Sequence, residues 1–158
     1  MTQQYWLFKS EPQAYSFDDL IGDEVAEWDG VRNYQARNLL RDEVHEGDGV
    51  LFYHSGSKNL AVVGTAVVVR GGYPDYTAWD PHSEHPDPKS NPANPIWCMV
   101  DIKPVARLAT PPTLHAMKAM PALTGMVLLQ PGSRLSIQPV TAAHWEIICR
   151  IGGLESVG

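Results

Sequence analysis

Ala61-Val62-Val63-Gly64-Thr65-Ala66-Val67-Val68-Val69-Arg70 is the stretch that decides the fold. Branched side chains are stiff at the β-carbon and fit a pleated surface, so this run is expected to be a central strand. Strand-like segments lie on both sides of it. Residues 5–9 are rich in aromatics, 50–54 follow the turn Gly47-Asp48-Gly49, and 96–105 lie downstream. In 134–140, Leu135, Ile137 and Pro139 alternate with Ser136 and Gln138, as in a half-buried strand. The helical pieces between them are short. Ser16 is placed to cap a helix at 16–20, and Ala36, Leu39, Leu40 and Val44 have helical spacing within 34–44. Residues 112–129 hold short helices interrupted by Pro121 and Gly125. Thr141 opens a closing helix at 141–151, which Gly152 stops. Strands outnumber βαβ units. The fold expected is α+β, with a mixed, mainly antiparallel sheet curled into an open barrel and short helices around it.

The chain has 158 residues, 44% of them hydrophobic. That suits one domain, here residues 1–154, burying roughly 70% of the unfolded surface. The net charge of −6 is unevenly spread. Residues 1–50 hold 4 Lys/Arg against 11 Asp/Glu, and the remainder 8 against 7. Nonspecific coating of nucleic acid draws on phosphate neutralisation and is disfavoured. A pocket gripping one base and a few phosphates is not. No apolar run approaches the ~20 residues of a membrane span, and residues 1–4 show no signal-like core. A cytoplasmic protein is expected, with Cys98 and Cys149 as reduced, buried thiols.

Trp28-Asp29-Gly30-Val31-Arg32-Asn33-Tyr34-Gln35-Ala36-Arg37-Asn38 combines aromatics, guanidiniums, amides and a carboxylate. No simple helix or strand face needs that mixture, which suits holding a flat, polar, partly apolar ligand such as a nucleobase. Rings stack on the base, amides and acids read its edge, and Arg holds the phosphate. Residues 72–95 form the longest irregular segment and contain six of the 13 prolines. Within it, Asp80, His82, His85 and Asp87 lack a rigid scaffold and any cysteine, so no metal site is expected.

These segments together resemble the EVE domain family of the PUA-like superfamily. The resemblance rests on Tyr5-Trp6-Leu7-Phe8-Lys9-Ser10-Glu11-Pro12, the 28–38 motif, Gly47-Asp48, Phe52-Tyr53-His54-Ser55, Tyr73-Pro74-Asp75 and Asp87-Pro88-Lys89-Ser90. Trp97, Val100-Asp101, Ser133-Arg134-Leu135-Ser136-Ile137-Gln138-Pro139-Val140-Thr141 and Trp145 complete it. It implies a PUA-like pseudobarrel related to the readers of N6-methyladenine, and a module recognising modified bases in DNA or RNA. By that resemblance Lys9, Ser10 and Trp28 help form the base pocket. The family usually carries an aromatic pair before Asp-Pro-Lys, where this chain has His85-Pro86, so the loop is expected to close the pocket differently. The family's eukaryotic members tend to have a basic N-terminal extension. None is present here, which points to a bacterial protein.

The function expected is binding of a methylated or hydroxymethylated base, flipped out or single-stranded, in an aromatic-lined pocket, with no cofactor. Trp28 is the stacking wall. Tyr34 is either a second wall or a helix-packing residue, and Tyr53, leading to His54 and Ser55, is expected to line the site. Trp79 is a candidate lid aromatic. Ser10, Glu11, Asp29 and Asn33 offer donors and acceptors to a base edge, although Ser10 and Asn33 could equally cap turns and Glu11 could pair with Lys9 or Arg32. Lys9, Arg32, Arg37 and Lys89 are candidates for phosphate. Lys9, Glu11, His54 and Ser55 could assemble acid–base chemistry, but no nucleophile–base–orienter set is legible. An acidic module that binds a protein partner is the third reading.

Overall fold

A computed structural model describes residues 3–154 other than Ser57 and Ser133. Ser133, quoted above within its motif, lies outside the described residues. Six strands form one curled, unclosed sheet: β1 (Tyr5–Ser10), β2 (Ala26–Glu27), β3 (Gly49–His54), β4 (Ala61–Pro74), β5 (Cys98–Arg107) and β6 (Ile137–Val140). The order across it is β2-β5-β4-β3-β1-β6. Only β1 and β3 run parallel, and every other neighbouring pair is antiparallel. The run 61–70 is central, as its branched residues require, but its strand continues to Pro74. Register shifts at Thr65/Ala66, Val68/Arg70 and Arg70/Tyr73 bend β4 against β5. Such bulges raise the local twist and curl the sheet.

Four helices cover the sheet: α1 (Phe17–Asp23), α2 (Tyr34–Asp42), α3 (Leu114–Lys118) and α4 (Ala142–Ile151). Ser16 caps α1 in a capping box, its Oγ accepting from Asp19 N while Asp19 Oδ2 accepts from Ser16 N. Thr141 Oγ1 accepts from His144 N at the start of α4.

The sheet is buried on both faces, which the alternation within β1 and β3 explains. Trp6, Phe8, Val50 and Phe52 face one core with Phe17, Leu20, Leu40 and Ile102. Leu7, Leu51 and Tyr53 face a second core with Met117, Leu123, Trp145 and Ile148. Both cores converge on β1, so the start of the chain is held from two sides. Gly64 is needed for close approach, because a β-carbon there would stand 2.3 Å from the Phe17 ring.

One buried carboxylate locks the parallel pair. Asp48, 3% exposed, accepts from Trp6 Nε1 (2.9 Å), Gln4 N (3.0 Å) and His45 N (2.9 Å). The turn Gly47-Asp48-Gly49 is thereby tied to the strand that carries Lys9 and Ser10.

Candidate functional site

A cleft of about 670 Å³ opens at the end of β1. Lys9, Ser10 and Glu11 border it on one side, Tyr15 and Asp23 on another, and the segment from Val25 to Arg32 on a third. Glu84 and His85 close the rim, and Ser136 meets β1 at its edge. A volume of this size lies within the range of small-molecule sites.

Trp28 forms the wall where the cleft meets the core. Its main-chain N–H donates to Val100 O at 2.7 Å, extending the short β2–β5 pairing by one residue. The half-buried ring rests on Phe8 and Phe52, each 5.5 Å away between centroids, with the Tyr15 ring at 6.0 Å. The core holds one part of the indole and leaves another facing the cleft.

The turn after β1 places the neighbouring groups. Ala14 and Tyr15 N–H donate to Glu11 O, and Ser10 Oγ donates to Tyr15 O at 2.5 Å. The Tyr15 hydroxyl in turn donates to Asp23 Oδ2 at 2.8 Å. Burial and that carboxylate both push the Tyr15 pKa up. Burial lowers the Lys9 pKa. The Glu11 side chain packs over the turn at Gly56.

The segment 29–32 is fixed by Asp75, whose side chain is fully buried. Asp75 accepts from Gly30 N (2.9 Å), Arg32 Nη1 (3.0 Å), Thr77 N (2.9 Å) and Thr77 Oγ1 (2.5 Å). Burial alone would raise its pKa, but these donors outweigh burial and hold the carboxyl below its ordinary value. The other hand of Arg32, Nη2, donates to His85 O at 2.7 Å. Arg32 is therefore a clamp between the 28–38 motif and the long loop, with Nη1 and Nη2 engaged on protein and the buried Nε without a hydrogen-bond partner among the described residues. Asp29 remains 39% exposed, with His85 Nε2 3.7 Å from Oδ1. Burial raises the Asp29 pKa, and the neighbouring His85 acts against that shift.

Of the residues expected from the sequence, Lys9, Ser10, Glu11, Trp28, Asp29 and Arg32 line the cleft, and six others do not. Asn33 caps α2, its Oδ1 accepting from Ala36 N at 2.9 Å. Tyr34 is exposed and lies tilted against Trp97, with ring centroids 4.9 Å apart. Tyr53 is 3% exposed in the second core, because alternation along β3 turns it to the opposite face of the sheet from Trp28. His54 Nε2 accepts from Phe17 N at 3.1 Å, ahead of α1, and Ser55 N donates to Ser10 O. Lys89 is exposed and lies away from the lining. Arg37 donates to Ile96 O, and Trp79 also stands outside the cleft.

His85 is a lining residue that the sequence did not single out for the site. Its only signal was the departure from the family's aromatic pair. Tyr15, Asp23 and Ser136 had no local signal, since chain reversal brings them to the cleft, whereas Glu27 enters it directly beside Trp28. The loop acids and histidines do not gather. Asp80 Oδ1 accepts from His82 N, and Asp87 Oδ2 accepts from Trp97 Nε1 at 2.7 Å. Among the described residues no three His, Cys, Asp or Glu are grouped to hold a metal ion. No helix among them is long and apolar enough to cross a membrane.

Comparison with known proteins bears on this site. The protein-family model for the EVE domain matches residues 4–151. Mouse thymocyte nuclear protein 1 is 38% identical over 171 residues, covering 96% of this chain and 74% of the mouse protein. A hypothetical protein from Leishmania major superposes with a TM-score of 0.90 at 48% identity, covering 96% of this chain and 95% of that one. Human THYN1, solved in complex with DNA containing 5-methylcytosine, superposes with a TM-score of 0.88 at 34% identity. That match covers 98% of this chain and all of the human one.

Proposed function

The chain belongs to the EVE domain family, and from that membership we propose that it is a DNA-binding module that takes one methylated or hydroxymethylated cytosine into the cleft beside Trp28. The observation that carries this reading is the placement of Trp28, half in the core and half in the cleft, among groups that can read a base edge. The human relative in complex with 5-methylcytosine DNA supplies the choice of base.

Electrostatics favour a base over a phosphate inside. The lining holds five carboxylates, from Glu11, Asp23, Glu27, Asp29 and Glu84, against the cations Lys9 and Arg32. Such a cleft repels phosphate and attracts the amino edge of a base, so the sugar-phosphate chain stays at the rim. A base stacked within a duplex cannot enter it, so the ligand is single-stranded or flipped out.

The test is a binding panel of single-stranded oligonucleotides differing at one central position: cytosine, 5-methylcytosine, 5-hydroxymethylcytosine, adenine and N6-methyladenine, each as DNA and RNA. Tighter binding to a modified cytosine in DNA, lost in Trp28→Ala while that variant stays folded, is the expected result. Equal affinity across the panel contradicts the reading, and preference for the RNA set moves it to RNA. Turnover of any oligonucleotide would instead favour an enzyme.

A further inference from the structure

His85 sits on the loop at the cleft rim, and its surroundings fix where the imidazole carries its proton. Nδ1 lies 3.3 Å from Arg32 Nη2 and 3.2 Å from Thr77 Oγ1. A guanidinium only donates and stays charged, so Nδ1 must present it with a lone pair. Thr77 gives its hydroxyl proton to Asp75 Oδ1, at 2.5 Å, so its oxygen offers Nδ1 only lone pairs and by itself favours a proton there; the full charge on Arg32 outweighs that neutral hydroxyl. The Arg32 charge assigns the imidazole proton to Nε2, which lies 3.7 Å from Asp29 Oδ1.

The ring is held in place as well as in tautomer. It packs on Gly30, where a β-carbon would stand 2.8 Å from it, and Gly30 has φ +77°, a conformation suited to glycine. Its main-chain carbonyl is tied to Arg32, and Arg32 to buried Asp75. The cleft thus presents a held donor beside an acceptor, on side chains 28% and 39% exposed.

We infer that His85 and Asp29 read the Watson–Crick edge of the bound cytosine, His85 Nε2–H donating to ring N3 and the Asp29 carboxylate accepting from the N4 amine. This rests on the reading of the cleft as a base site and names the groups that choose the base. Cytosine offers an acceptor at N3 beside a donor at N4, the complement of this pair. Thymine offers the reverse order. It can satisfy the pair through O4 and N3–H with its ring turned over, or through O2 and N3–H with its ring shifted along the edge, and either way the 5-methyl group leaves the place it takes in 5-methylcytosine.

The experiment measures binding of the full chain to single-stranded DNA carrying 5-methylcytosine, 5-methyl-3-deazacytosine, thymine or cytosine at one position. The deaza base keeps the methyl and amine but has C–H in place of N3. Wild type is expected to bind it about tenfold or more less tightly than 5-methylcytosine. His85→Phe, which keeps a flat ring for Gly30 but no donor, should weaken 5-methylcytosine binding to a similar degree and lose nothing further on the deaza base. His85→Gln retains an N–H donor and should remain sensitive to the deaza change. Equal wild-type affinity for 5-methylcytosine and its deaza analogue overturns the inference without any variant. If 5-methylcytosine is still preferred over cytosine in that case, the base-site reading survives. Absence of that preference overturns both.

Discussion

Two tryptophan–aspartate pairs from the first third of the chain are put to opposite uses. Trp6 and Asp48 are sealed, with the indole N–H donating to a carboxylate that also takes two main-chain donors. Trp28 and Asp29 are left open, with the indole half in the core and the carboxylate 39% exposed beside His85. The first pair ties down the start of β1, and the second borders the cleft at its end. Residue type does not separate them; the capacity left after folding does. Asp48 has its oxygens matched by N–H groups, whereas Asp29 keeps acceptor capacity facing a cleft. Asp29 is exposed, so that capacity carries no burial cost and is available to the base edge of the proposed function.

The same substitution made at both aspartates should break this comparison open. Asp48→Asn puts an amide donor where only donors converge and is expected to cost about 3 kcal/mol, read as a lower urea midpoint. Any folded fraction should keep its preference among bases. If the loss at Asp48 is within experimental error, the sealed pair is not the lock described here. Trp28→Ala is next in size, with about 1–3 kcal/mol of base affinity lost, read by titration with the preferred oligonucleotide. Unchanged affinity there would remove Trp28 from the binding surface.

How much of this was legible beforehand varied with the kind of residue. The strand at 61–70, the caps at Ser16 and Thr141 and the packing face of α2 rest on local rules, and the sequence states them openly. The sites that failed did so for definable reasons. Tyr53 belongs to a strand buried on both faces, so alternation sent it to the second core rather than to the cleft. Asn33 was spent on a helix cap and His54 on the N–H of Phe17. Arg32 falls at the cleft, yet its fork is taken up by Asp75 and His85, partners 43 and 53 residues away. No spacing rule reaches that far. Lys89 stays on the surface, and Lys89→Ala is expected to leave discrimination between bases unchanged. A lost preference in that variant would bring the loop tip into the site.

The smallest effect is a pH dependence of opposite sign at two carboxylates. Burial raises the Asp29 pKa above its ordinary 3.8, so folding prefers its neutral form. The stability it contributes is present below pH 3.8 and is lost as pH rises through the raised value. Asp29→Asn, permanently neutral, should therefore match wild type in acid and become slightly more stable above that window, while binding 5-methylcytosine less well. Asp75, held below 3.8 by its donors, contributes stability above that pH and loses it as pH falls through its depressed value. Urea midpoints for wild type and Asp29→Asn at pH 3 and pH 7 check the sign. Reduced stability of Asp29→Asn at pH 7 would mean that the carboxylate is a structural partner like Asp48.

An NMR titration of the full chain with single-stranded DNA bearing one 5-methylcytosine tests the open-pair account most directly. The indole N–H signal of Trp28 should move in step with binding while that of Trp6, locked to Asp48, stays in place. A titration that leaves Trp28 unmoved, or shifts both indoles alike, would contradict it.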